Sequence, residues 1–455
     1  MSYSPQRRTA VLLSGSGTGG AYHAGVLRAL HEAGVKIDVT SGRGIGVVGA
    51  LFAAIDAGAK TWEDGGVWRR RPGPRLYRWR PALQWAALCL LAAIAVLAIP
   101  LLVLATGLIA YPLSFLVQMI SVDAGFRVAG AYTDMVRHAF SPAALPTVIP
   151  RLVMLCLMIG FTVLAAAAAR QKPHWVLGNA QRDRGRWWAR VIGAPWSTEP
   201  GLRHFQAALW QLFRGLTTAR EPQPAELSRR YTELLFENLG QPGFRELIVA
   251  AFDLETRGDI VFAAIADSRR QAYFHRGRGD LVDLSGVGRS QILDALAAAI
   301  SVPVLTEPHL IAFSPESYWK GEAHRACDRT GGVTRLLEEL AAVGVEQVIV
   351  VCADADRSGP HRLTKPTGSL RSRVAEHLAA AETAAIRDAA ASYKKQFKGL
   401  FLIQSLHNPV GPLDFEGAYD ERSDRIQSLS ELMDRGYEDA YRQFVEPMVG
   451  GPLDL

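Results

Sequence analysis

Between Arg80 and Asp123 the chain carries no Lys, Arg, Asp or Glu, and between Arg151 and Arg170 it again carries none. A helix on the surface of a globular core is apolar along one stripe only, so runs of this kind point to lipid. Crossing the hydrocarbon of a bilayer takes about 20 apolar residues. The first run, 82–120, is longer than one crossing yet has no polar turn that would make it two. Pro100 and Pro112 mark where it kinks or ends. The second, 150–169, has the composition of a single span, with a buried core helix as the alternative. Two crossings are expected.

The flanking charges give an orientation. The 455 residues hold 50 Lys+Arg against 44 Asp+Glu, a formal net charge of +6. The arginines gather beside the apolar runs, as Arg69, Arg70, Arg71, Arg75, Arg78 and Arg80 before the first. Arg170, Lys172, Arg182, Arg184, Arg186 and Arg190 follow the second. With Trp79, Trp187 and Trp188 next to them, this is a membrane-interface pattern rather than a nucleic-acid surface. A lipid bilayer and lipid acyl chains are the expected partners, and no nucleic acid. Between the runs, residues 121–146 carry only Arg127 and Arg137, balanced by Asp123 and Asp134, so both flanks belong on the cytoplasmic side. The alanine- and arginine-rich composition suggests a bacterium and hence an inner membrane.

Four cysteines make no disulfide framework, and none stands at a zinc-like distance from a second cysteine or a histidine. No metal and no cofactor is expected. Asp354 and Asp356, after a buried strand, read as a solvated strand end. The N-terminus runs straight into a strand without the apolar core of a signal peptide.

Outside the apolar runs, strand, glycine turn and helix follow one another twice. Residues 9–14 read as a buried strand, then Gly15-Ser16-Gly17-Thr18-Gly19-Gly20 as a turn, then a helix that carries His23, taken as a packing residue. Residues 35–40, Gly42-Arg43-Gly44-Ile45-Gly46 and 47–57 repeat the unit. This is the pattern of a parallel α/β sheet. The first turn supports two readings. Gly15-x-Gly17-x-x-Gly20 with Asp38 matches a dinucleotide-binding fingerprint. Alternatively, the loop aims backbone N–H groups at a developing oxyanion. The second turn has the frame of a nucleophile elbow, which presents its central side chain on a sharp strand-to-helix turn.

At these residues the sequence resembles the patatin-like phospholipases. The stretch Leu13-Ser14-Gly15-Ser16-Gly17-Thr18-Gly19-Gly20-Ala21 is similar to that family's oxyanion loop, and residues 41–54 to its elbow and following helix. Residues 247–262 resemble the central strand pair, 297–308 an Ala-rich helix and Pro-containing loop, and 330–353 the segment with the catalytic Asp. The resemblance implies an α/β, patatin-like three-layer fold with a mainly parallel sheet, here interrupted by a transmembrane helical hairpin. It also implies a lipid acyl ester as substrate and a Ser–Asp dyad. Since the sheet needs strands from both sides of the insertion, the number of crossings must be even.

The dyad is where this sequence departs. Gly44 stands at the nucleophile position and Thr330 at the acid's, with Asp328 as a displaced substitute. Gly15, Gly17, Gly19 and Gly20 remain in the oxyanion loop, but Ser16 replaces a glycine, and Gly19 stands where the family usually has Arg or Lys. Gly42 and Gly46 keep the elbow frame. The expected organisation is residues 1–66 and 240–360 as the two parts of the patatin-like domain and 67–172 as the arginine-flanked hairpin. Residues 173–239 form a Trp-rich lid or membrane-proximal segment, and 361–455 a helical extension in which 371–398 is a surface or partner helix. The expected function is a membrane-anchored pseudoenzyme that binds lipid acyl esters or acts as a scaffold. The alternatives are an acyl hydrolase with a relocated nucleophile (Ser14, Ser16 or Ser41) and a nucleotide-binding protein using the first glycine loop.

Overall fold

Thr9–Ser14, Val39–Gly42 and Gln347–Cys352 are short runs buried along their whole length. Only a sheet covered by helices on both faces accommodates such strands. In a computed structural model they lie in the middle of a nine-stranded sheet. It describes residues 3–69, 76–170, 193–214, 220–275, 279–354, 370–405, 418–420, 425–427 and 429–449. The strands are β1 (Thr9–Ser14), β2 (Val39–Gly42), β3 (Glu246–Asp253), β4 (Gly258–Ala264), β5 (Leu281–Asp283), β6 (His309–Ala312), β7 (Ala323–Cys327), β8 (Gln347–Cys352) and β9 (Gly399–Gln404). Their order is β9-β8-β1-β2-β3-β4-β5, with β7 on the end of β3 and β6 paired to β7. From β9 to β3 every pairing is parallel, and β4 and β7 run antiparallel to β3.

Register follows from alternation. Val11 and Leu13 enter one apolar cluster, Ala10 and Leu12 the cluster on the opposite face, and all four are fully buried. A slip by one residue would exchange the two sets. Leaving β1, the chain moves one way to β2; β8 and β9 lie on the other side of it. The carboxyl end of β1 is therefore a topological switch point, where loops diverge and leave a crevice.

The chain divides into two compact units, one of Met1–Arg78 with Trp196–Leu455 and one of Trp79–Pro195. The boundary falls later than residue 67: Val67, Trp68, Leu76 and Tyr77 are buried in the core of the α/β unit. In the same core lie Phe205, Leu209 and Trp210 of the helix Glu199–Arg214, and Leu227, Tyr231 and Leu235 of Pro224–Asn238. The described part of the Trp-rich segment is thus core-packed. Trp187 and Trp188 lie outside the described residues.

The helix Leu429–Ala440 is equally integral to the α/β unit. A Cβ on Gly25 would stand 1.8 Å from the Met433 carbonyl oxygen, and one on Gly436 would stand 2.2 Å from that of Tyr22. Two helices meet there backbone to backbone, and the Tyr22 hydroxyl donates to Asp439 at 3.1 Å.

The second unit is helical: Pro81–Ala105, Gly107–Gln118, Val122–Ala139 and Leu145–Arg170. Its outer surface is apolar, with Leu101, Leu108, Ile109 and Ile120 each at least 70% exposed. Two stretches, Pro81–Gln118 and Leu145–Ala169, are long and apolar enough to cross a membrane. The first is broken at Thr106 into helices of 25 and 12 residues, and the longer spans about 37 Å at 1.5 Å per residue, against roughly 30 Å of hydrocarbon. The stretch between the runs contains the helix Val122–Ala139. It packs on Gly107–Gln118 through Gly125, whose absent Cβ leaves room for Gln118, and the Ser114 hydroxyl donates to the Gly125 carbonyl at 2.9 Å.

Candidate functional site

The loops after β1, β2, β7 and β8 open at one end of the sheet and gather the residues singled out from sequence. The elbow is present as backbone. Gly44 has φ +55°, the left-handed conformation that a nucleophile elbow imposes on its central residue. Its amide neighbour Ile45 donates to the Gly15 carbonyl at 2.9 Å. That carbonyl closes the position. A Cβ on Gly44 would lie 2.2 Å from the Gly15 oxygen and 3.1 Å from Asp328 Oδ2. Where a nucleophile would project, the glycine loop presents the Gly15 carbonyl oxygen.

The other loop glycines are accounted for by packing. A Cβ on Gly19 would meet Ala353 at 2.8 Å, one on Gly20 would meet Trp68 at 2.1 Å, and Gly17 has φ +56°. Gly42 and Gly46 admit the following helix turn and the Leu13 carbonyl at distances no side chain would allow. His23, fully buried, sets Nε2 2.9 Å from the Ser14 carbonyl oxygen; burial lowers its pKa to about 4, so the ring is neutral.

The centre of the site is Arg43, which sequence reasoning treated only as the residue between two elbow glycines. Its guanidinium is 3% exposed and grips Asp328 with two nitrogens, Nε to Oδ1 at 3.2 Å and Nη2 to Oδ2 at 2.6 Å. Its third nitrogen pairs with Glu382 and donates to Ser14 Oγ at 3.2 Å. Burial pulls the Arg43 pKa down, but Asp328 and Glu382 more than reverse this and leave it raised. The Asp328 carboxyl is pushed up by burial and drawn back by Arg43, with a net rise. Asp354 is 6% exposed, which corrects the solvated strand end. Burial first, then the Glu382 charge, lifts its carboxyl to about 7. Asp356 lies outside the described residues.

Glu382 belongs to the helix Leu370–Tyr393, expected to be a surface or partner helix. Instead, Glu382, Ile386 and Ala389 are buried. The carboxylate accepts from the Ser14 hydroxyl and from the Gly331 amide at 3.2 Å. Thr330 lines the same small cavity, with Gly15, Ser16, Arg43, Asp328, Leu378 and Glu382. Its volume is about 20 Å³, room for one water. Thus Gly44, Asp328 and Thr330 are brought together around an ion-pair network that includes the buried Ser14 hydroxyl.

Asp38 is not part of it. The Asp38 carboxylate accepts from the Thr9 amide at 2.9 Å, at the start of β1, whereas the glycine loop follows the end of that six-residue strand. At about 3.3 Å per residue the two are roughly 20 Å apart. A dinucleotide site needs its ribose carboxylate at the same end as the glycine loop, so that reading fails. Among the described residues no group of three or more His, Cys, Asp or Glu is arranged to hold a metal.

No family model matches the chain. A patatin-like phospholipase domain-containing protein of Caenorhabditis elegans is 38% identical over 69 residues, 13% of this chain and 5% of that protein. Patatin-like phospholipase domain-containing protein 6 of Mus musculus is 40% identical over 62 residues, 13% of this chain and 5% of the relative. The similarity to patatin-like proteins is local. The match spans about a twentieth of the length of these relatives. Among solved structures, VipD from Legionella pneumophila aligns with a TM-score of 0.34 at 14% identity, covering 98% of this chain and 67% of that one. The type III effector ExoU aligns with a TM-score of 0.27 at 11% identity, over 96% and 54%. Scores this low do not establish a shared fold.

Proposed function

We propose that this chain is a patatin-like α/β protein, anchored in a bilayer by its 79–195 unit, that binds a lipid acyl ester and does not hydrolyse it through an elbow serine. The observation that carries the reading is Gly44. The position has no nucleophile, and the Gly15 carbonyl leaves no space for one. The acid nearest to it, Asp328, is committed to Arg43 on both oxygens. The 38- and 25-residue apolar stretches, almost unburied, support the bilayer part. Because β2 and β3 flank the inserted unit yet pair with each other, any crossings come in even number. With the arginine-rich flanks, this supports an α/β unit in the cytoplasm and a bacterial inner membrane as the bilayer.

A second reading rests on Ser14, whose hydroxyl donates to the Glu382 carboxylate, the arrangement of a nucleophile and its base. Against it, Ser14 is fully buried and does not line the cavity. A fluorophosphonate probe applied to the full chain in detergent micelles, followed by peptide mass spectrometry, separates the readings. No labelled serine is expected. Labelling of Ser14 establishes the second reading in place of the first, and labelling of Ser16 or Ser41 ends both.

A further inference from the structure

We propose that Arg43, Ser14 and the Gly331 amide form an anion cradle, occupied in this conformation by Glu382, that takes the phosphate or carboxylate of an anionic ligand when Glu382 withdraws. This deepens the non-hydrolytic reading of the same site and rests on it.

Three donors from three separate segments converge on one carboxylate. Ser14 Oγ comes from the end of β1, the Arg43 Nη1 from the elbow after β2, and the amide from Gly331, which has φ +83°. Each is fixed at a strand end or in a glycine-containing turn, so the donor set does not depend on the residue it holds. Arg43 in particular stays in place without Glu382, because Asp328 holds two of its nitrogens. The acceptor is the part that has to move for a ligand to enter. It arrives on a helix from elsewhere in the chain, and Leu378, one turn before it, closes the same cavity. Moving that one helix face would free the cradle and enlarge the cavity together. The remaining guanidinium nitrogen, with a hydroxyl and an amide, presents three donors to the oxygens of a phosphate or carboxylate. A carboxylate or a singly charged phosphate in place of Glu382 leaves the charge of the buried cluster unchanged.

The test uses the full chain in maltoside micelles, with thermal unfolding followed by tryptophan fluorescence. The probes are inorganic phosphate, dihexanoyl phosphatidic acid and, as uncharged control, dihexanoylglycerol. Glu382→Ala removes an intramolecular competitor. It is expected to show a saturable stabilisation by phosphatidic acid, half-complete at a concentration about tenfold or more below that of the wild-type chain. Adding Ser14→Ala to it should weaken binding several-fold. Stabilisation by inorganic phosphate as well identifies a free-anion site; stabilisation by phosphatidic acid alone identifies a lipid headgroup site. No saturable shift with either anion overturns the proposal, as does equal response in wild-type and variant chains. If Glu382→Ala does not fold, amide hydrogen exchange of the wild-type helix decides. Residues 378–386 should lose protection with phosphatidic acid, and unchanged protection counts against the cradle. Fatty-acid release is measured on the same samples. Release contradicts the non-hydrolytic reading itself, whereas no release and no binding contradict only the cradle.

Discussion

Restoring a serine at the elbow should damage the protein without reviving a hydrolase. Gly44→Ser places a Cβ 2.2 Å from the Gly15 oxygen at φ +55°, roughly 1 Å inside van der Waals contact. A non-glycine residue in the left-handed region costs about 1–2 kcal/mol. Shifting the glycine loop to relieve the overlap costs about 1–3 kcal/mol, as other overpacking does. Losing the Ile45 to Gly15 hydrogen bond (2.9 Å) adds about 1 kcal/mol. The total is roughly 3–6 kcal/mol, nearly all of it due to the Cβ. Gly44→Ala should therefore match Gly44→Ser within about 1 kcal/mol. Denaturant unfolding of the full chain in micelles, followed by tryptophan fluorescence, measures both, and fatty-acid release from a phospholipid is assayed in parallel. Wild-type stability of Gly44→Ser combined with ester turnover would refute the closed-elbow reasoning.

Arg43→Met leaves Asp328 and Glu382 buried without their cation and should destabilise by about 3–5 kcal/mol; a cost under 1 kcal/mol by the same unfolding assay would show that the network is not formed. Gly25→Ala should be comparably damaging, because Met433 backbone stands 1.8 Å from the new Cβ, and an unchanged melting temperature would mean that the helix Leu429–Ala440 does not pack there. The pH dependence has two opposed parts. With its carboxyl at about 7 when folded and 3.8 otherwise, Asp354 binds a proton that the unfolded chain has lost, so its contribution falls as pH rises through that window. His23, about 4 when folded and 6.5 otherwise, does the reverse, and the two offset each other between pH 5 and 6. Asp354→Asn should unmask the histidine and steepen the rise of stability by about 1.4 kcal/mol per pH unit there; equal slopes in the two chains would contradict the buried, protonated Asp354.

Much of the frame was legible because it rests on local signals. The fully buried run 9–14, the two glycine turns and the charge-free stretches each fix their own conformation. The site was legible only as a deletion, a glycine where a nucleophile is expected. What fills the gap is non-local: Arg43 meets Asp328 285 residues away in sequence, and no spacing rule links them. One signal was available. Glu382 stands between Leu378 and Ile386 on a single helix face, a carboxylate on an apolar stripe, which a surface helix would not carry. Asp38 failed for a different reason. Its spacing matched a nucleotide motif, but β2 begins at Val39, which puts the carboxylate at the wrong end of the sheet. Residues 121–146 gave no structural signal beyond their balanced charges. The helix there depends on Gly125 admitting Gln118, a contact that charge counting does not reveal.

The central claim is that the cleft holds an ion pair where a patatin-like enzyme holds a nucleophile. Its most direct test is acyl release from a phospholipid by the purified full chain in micelles, set against the same micelles without protein. Release at the background rate is expected. Release above background that disappears in Ser14→Ala would contradict it and make Ser14 and Glu382 the working pair.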